Sequence, residues 1–174
     1  MISTALVRHE LAHALGSLFS GCSSATVQAA GPDGAFTSPA WGDDATPEAI
    51  ATCTAAGLLY SDGVDTSDDE MVLACFTAGH PELVAELLRP IEAQVRSAVD
   101  GLGDEHLAGL ADALARGDYI EVQRPGTDPG WITVLPVLIR VSGAVGRIFR
   151  TWCGRMWLDC LSHWLMTILA YLRV

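Results

Sequence analysis

The sequence predicts a mainly helical α+β domain that carries one small β hairpin and is followed by an apolar helical tail. Three observations predict it. Apolar residues recur at helical spacing in segments bounded by capping hydroxyls and prolines, two short β-prone runs flank a Gly-Pro-Asp-Gly turn, and residues 131–174 hold four of the five tryptophans. With 174 residues, half of them apolar, the chain can bury a core as one domain without covalent staples.

Residues 3–19 read as a helix, with Ser3 or Thr4 as its cap and Val7, Leu11, Ala14, Leu15 and Leu18 forming an apolar stripe up to Gly21. The runs Ser24 to Ala30 and Gly34 to Ala40 then predict a hairpin about Gly31-Pro32-Asp33-Gly34, closed by Pro39 and the acidic loop Gly42-Asp43-Asp44. A second helix is expected from Thr46-Pro47-Glu48, where a capping hydroxyl precedes a first-turn proline, to about Tyr60. Ser67 looks like the cap of a helix over Asp68 to Ala78, whose first turn is acidic as the helix dipole favours. Pro81 opens a further helix to about Val99, and residues 103–122 predict a last short helix followed by a strand. Arg124 to Gly130 holds two prolines and two glycines and cannot continue either regular element. The domains are therefore expected to be residues 1–124, a linker over 125–130 and the tail over 131–174.

The formal charge of −11 argues against a nucleic-acid partner, because phosphate binding needs clustered cations. Charge is also uneven, since residues 1–124 carry nineteen of the 21 acids but only half of the ten arginines. Five scattered cysteines (Cys22, Cys53, Cys75, Cys153, Cys160) show no paired spacing and point to reduced thiols in the cytoplasm. The N-terminus reads as lacking a signal peptide, because Arg8, His9 and Glu10 interrupt its apolar stretch at once.

His9-Glu10-Leu11-Ala12-His13 is an HExxH segment on the first predicted helix. Residues four apart project from one face a turn above each other, so both imidazoles can reach one metal ion, with Glu10 beside them to take a proton from a hydrolytic water. Zn2+ is the expected metal, and it needs a third protein ligand while one position stays open. Asp65, Asp68 and Asp69 form the strongest downstream cluster. The residues by themselves leave the choice among them open, beside the plainer reading that they only satisfy the helix dipole. His80 and His106 lack partners at ligand spacing and read as a helix-end and a solvated histidine.

Between residues 5 and 122 the order of these features resembles the protease domain of the FtsH-type ATP-dependent zinc metalloproteases. The carriers are the HExxH helix, the β segment Ala25 to Pro39, the small-residue helix Ile50 to Tyr60, a Gly-Asp loop leading into Ser67-Asp68-Asp69-Glu70, and the closing helices over 91–102 and 105–122. The resemblance implies a helical zincin-like fold, peptide-bond hydrolysis with Glu10 as catalytic base, and Asp69 as the third ligand beside His9 and His13. Two departures stand out. Leu11-Ala12 replaces the family's usual Ala-Gly, and a phosphate-binding GxxxxGK[ST] loop is impossible in a chain without lysine. The expected substrate is thus a peptide or an already unfolded polypeptide, with a separate ATPase as a candidate partner. An extended substrate could add as a strand at Ala25 to Gln28 or at Ala35 to Ser38.

In the tail, Trp157, Leu161, Trp164, Leu165, Ile168 and Leu172 recur at helical spacing, and no charge-free window reaches the length of a membrane span. Packing on the body, self-association into a homo-oligomer, or a peripheral contact with a membrane surface are the three readings open to it. Two alternatives remain for the body. One is an ImmA/IrrE-like regulatory metalloprotease, with Glu48 as ligand; the other is a catalytically silent binding module.

Overall fold

A computed structural model describes residues 1–42, 45–78, 80–123 and 131–135 of the chain. Helix α1 (Thr4–Phe19) starts where Ser3 holds an extended backbone and its hydroxyl accepts the Leu6 amide at 3.1 Å. The chain then reverses through Gly21, whose φ of 105° suits a residue without Cβ. Strands β1 (Ala25–Ala29) and β2 (Ala35–Pro39) form the expected antiparallel hairpin, with Val27 opposite Thr37. Helix α2 (Pro47–Gly57) is capped by Thr46, which accepts the Ala49 amide, and it runs into a 3-10 turn over Leu58–Tyr60.

Helix α3 (Ser67–Thr77) follows, and here the predicted cap is off by one residue: Ser67 lies inside the first turn, while the Asp65 carboxylate accepts its amide from outside at 3.1 Å. The single helix expected from Pro81 to Val99 is two, α4 (Glu82–Leu88) and α5 (Glu92–Asp100). Pro90 explains the break. It has no N–H to donate, and its ring clashes with the preceding turn. Ile91 restarts the chain with its side chain buried. Helix α6 (Asp104–Ala115) and strand β3 (Tyr119–Val122) match the reading of residues 103–122.

A fourth strand, β4 (Ile132–Leu135), pairs with β3 and completes an antiparallel sheet in the order β2-β1-β3-β4. The body therefore extends beyond the predicted boundary, and residues 132–135 belong to its sheet rather than to a helical tail. The β-branched run Ile132, Thr133 and Val134 fits a strand; the linker signal before it hid the pairing. The remainder of the predicted tail, with Trp152, Trp157 and Trp164, lies outside the described residues, as does the whole predicted linker over 125–130. Among the described residues no single helix is long and apolar enough to cross a membrane.

Helix α1 is the centre of this mainly helical α+β fold. It packs at once against β1, β2, α2, α5 and α6, so every residue from His9 to Leu18 is buried. The surrounding elements each offer an apolar face: Ala25 and Val27 from β1, Ile120 and Val122 from β3, Val95 and Val99 from α5, and Leu107, Leu110 and Leu114 from α6. Leu114 follows Leu107 at a spacing of seven positions, which is the helical repeat that lays one stripe on a neighbour. The sequence shows one apolar stripe on α1, yet its other faces are covered as well. Burial on all sides turns its polar residues into a question that the core must answer.

Candidate metal centre

Three ionisable side chains on α1, those of His9, Glu10 and His13, sit inside this core beside the buried hydroxyl of Ser17. Buried polar groups carry a heavy desolvation cost unless they find partners. The spacing of four stacks the two imidazoles edge to face, with ring centroids 4.5 Å apart and planes at 90°. Their Nε2 atoms come within 3.0 Å of each other.

Helix α2 makes room for this arrangement with small residues. A Cβ at Gly16 would stand 2.6 Å from the Ala56 Cβ, so the two helices approach as near as glycine permits. Gly57 is more constrained, because a Cβ there would run into the His13 ring at Cε1 and Nε2. One turn earlier, the Cys53 carbonyl accepts a hydrogen bond from His13 Nδ1 at 2.9 Å. That contact assigns the ring proton to Nδ1 and leaves the Nε2 lone pair for a ligand, as backbone carbonyls commonly do behind metal-binding histidines.

Helix α3 supplies the third group. Asp69, in its first turn, places Oδ2 at 3.1 Å from His9 Nε2 and 3.2 Å from His13 Nε2. The three atoms thus form a nearly equilateral triangle with edges of 3.0, 3.1 and 3.2 Å. Around a tetrahedral ion with ligand bonds of 2.0–2.1 Å, neighbouring ligand atoms stand about 3.3–3.4 Å apart. The observed triangle fits such an ion after an expansion of a few tenths of an ångström. Three acceptor lone pairs at this spacing repel one another unless a cation, either a proton or a metal ion, lies among them. His9, His13 and Asp69 together can hold a metal ion. His9 Nδ1 is buried with no hydrogen-bond partner among the described residues, which hold this ring at its Nε2 end.

The electrostatics show the same demand for positive charge. Burial disfavours the charged form of His13, yet the Asp69 carboxylate and the Cys53 side chain outweigh it and hold this histidine well above its usual pKa. Burial likewise works against the Asp69 carboxylate, but its bonds from His13 and His9 keep it far below the usual carboxylate range.

Glu10 stands beside the triangle without joining it. Its Oε2 lies 2.7 Å from the Thr37 hydroxyl of β2. Burial raises its pKa above the ordinary glutamate value, and His13, Thr37 and His9 only partly offset this.

No protein-family model, curated protein or solved structure matches the chain. The site is therefore read from its own atoms. Of the acidic candidates, Asp69 alone joins the histidines; Asp65, Asp68 and Glu48 are exposed and stand outside the group. His80 is a surface residue paired with Glu82 at 2.9 Å, and His106 is exposed, as expected for both.

Sequence reasoning missed Thr37, Cys53 and Gly57. Gly57 left a signal, because a glycine inside a helix costs about 1 kcal/mol relative to alanine and so invites a packing explanation. Thr37 and the Cys53 carbonyl left none. Their roles depend on how the hairpin and α2 dock on α1.

Gly57→Ala is expected to push the His13 ring or α2 out of place, destabilising the fold by about 1–3 kcal/mol as overpacking does. Affinity for a metal ion at the site should fall with it. Urea unfolding of the metal-free protein and a zinc titration would measure the two effects separately, and wild-type values in both would show that the ring has room to spare.

Proposed function

We propose that this chain is a zinc-dependent endopeptidase that cleaves peptides or already unfolded polypeptides. The observation that carries the proposal is the convergence of two imidazole nitrogens and one carboxylate oxygen on a single point, with the buried Glu10 beside it. Two nitrogens and one oxygen suit Zn2+ and leave its fourth position for water or substrate. The likeness to FtsH-type proteases supports the same ligand set of His9, His13 and Asp69.

Bound zinc would supply Lewis acidity, polarising the scissile carbonyl and acidifying the attacking water. The chain's own residues account for the rest. Glu10 takes a proton from the water as the water oxygen bonds to the scissile carbonyl carbon, then delivers that proton to the amine as the C–N bond breaks, so the proton count balances. Cys53 and Gly57 keep His13 in its ligand orientation. Burial of the site by α2, α3 and the hairpin limits competing water, which strengthens each of these interactions.

Strand β2 is the natural seat for an extended substrate. Of the two stretches considered from the sequence, Ala25 to Gln28 lies in β1, paired on both sides by β2 and β3. Ala35 to Ser38 lies in β2, an edge strand among the described residues and in contact with α1. Main-chain pairing there would give affinity with little sequence preference.

Without lysine for a phosphate loop, unfolding of larger substrates would fall to a separate ATPase. We place the protein in the cytoplasm, with residues beyond 135 as the candidate contact for a membrane surface or a second copy. The ImmA/IrrE-like alternative loses its proposed ligand, since Glu48 is exposed at the start of α2 and outside the metal group.

Elemental analysis of purified protein, followed by casein or peptide digestion with and without chelator, tests the reading. About one zinc per chain is expected, with cleavage lost on chelation and restored by added zinc. Stoichiometric zinc without cleavage would favour the silent binding module, and failure to take up zinc would reject the metal site.

A further inference from the structure

The Thr37 hydroxyl has two oxygen neighbours on Glu10, the carboxylate Oε2 at 2.7 Å and the backbone carbonyl at 2.8 Å. It has one proton to give. A hydroxyl donates more strongly to a carboxylate than to a neutral carbonyl, so the charge-assisted bond to Oε2 is the one it makes when Glu10 is ionised. Threonine is branched at Cβ, and its χ1 is stiffer than that of serine. The hydroxyl is thereby held at one point on β2, and that point holds the carboxylate.

The register of the hairpin gives Thr37 a second contact. The bonds from the Ala30 amide to the Gly34 carbonyl and from the Ala40 amide to the Ser24 carbonyl, each 2.8 Å, bracket the β1–β2 ladder. In an antiparallel ladder every second pair exchanges hydrogen bonds, which assigns them to Thr26 with Ser38 and to Gln28 with Phe36. Thr37, opposite Val27, falls in a non-hydrogen-bonded pair, so its own amide and carbonyl face away from β1 towards the free edge. The same residue therefore presents its main chain where an added strand would pair and its side chain to Glu10.

We propose that Thr37 is the positioning residue for the general base: its hydroxyl fixes the Glu10 carboxylate beside the metal-binding triangle from the strand on which the substrate lies. This rests on the peptidase reading above. Among the described residues the Thr37 hydroxyl bonds to Glu10 and to none of the three metal ligands, and its role is exerted through Glu10.

The test compares Thr37→Val, which removes the hydroxyl at nearly constant shape, with Thr37→Ser, which keeps it. Both are made in the full chain loaded with zinc. The expected result for Thr37→Val is a kcat lower by about 10–100-fold, in line with the cost of misplacing a catalytic group by about 1 Å. KM should stay within about twofold and zinc stoichiometry should be unchanged, with Thr37→Ser recovering most of the rate, because the loss lies in orienting a base rather than in binding.

A crystal structure of the zinc-loaded Thr37→Val protein supplies a readout independent of activity, and there the Glu10 carboxylate should have left its wild-type position. An unchanged kcat, a serine variant as impaired as valine, or a rise in KM that accounts for the whole loss would overturn the proposal. If wild-type protein cleaves nothing, the peptidase reading fails, while the position of Glu10 in the valine variant still decides whether Thr37 holds it.

Discussion

Glu10→Gln is expected to abolish measurable peptide cleavage while leaving one zinc per chain in place. Glutamine keeps the shape of the side chain and its ability to meet the Thr37 hydroxyl, 2.7 Å from Oε2, but it cannot accept a proton at neutral pH. General-base catalysis contributes about 10²–10⁴-fold to such reactions, so a loss in kcat of at least that order should appear with little change in KM. Retained zinc is as informative as lost activity, because it separates a proton-transfer role from a ligand role. The measurements are single-substrate kinetics and metal analysis on the same preparation. Normal turnover by the variant would remove Glu10 from the mechanism, and loss of zinc would make it a ligand.

The second large effect concerns Asp69. Asp69→Asn should weaken zinc binding by more than about 100-fold, given that even residues behind the ligands typically account for 10–100-fold in metal affinity. The variant keeps the size of the side chain but withdraws the one anionic oxygen that lies 3.1–3.2 Å from both imidazoles. Glu48→Gln is the matching control, since that residue is exposed and its removal should leave affinity unchanged. A competition titration against a chelator of known affinity measures both variants. The opposite pattern, with Glu48 needed and Asp69 dispensable, would overturn the ligand assignment.

Stability should follow the same order. A ligand that binds only the folded state stabilises it by about 2.7 kcal/mol at a free concentration one hundred times its dissociation constant. Zinc should therefore raise the melting temperature of wild-type protein clearly and that of Asp69→Asn hardly at all.

Much of this site is legible in the residues because it is local. His9 and His13 lie on one helix, and a spacing of four fixes their common face whatever the rest of the chain does. The caps Ser3 and Thr46 are local as well, and both accept the amide three residues on. Expected and observed elements differ at Pro90 and where two segments meet. Pro90 stands in plain view between α4 and α5, and its missing donor was reason enough to divide the helix. Strand β4 is different, because only its pairing with β3 distinguishes it from the start of an apolar tail.

By itself the sequence determined the mainly helical α+β class, the paired histidines with Glu10 between them, and the absence of any lysine for a phosphate loop. Short-range geometry and composition decide those properties, and neither depends on distant contacts. Tertiary structure alone brought Asp69 rather than Asp65, Asp68 or Glu48 to the histidines, although it lies 56 positions beyond His13 in the chain. It also decided that Gly57 and the Cys53 carbonyl shape the seat of His13, and that Thr37 meets Glu10. These contacts follow from the close approach of α2, α3 and the hairpin to a helix buried on all sides, and chain direction and packing, not spacing, set which atoms arrive there.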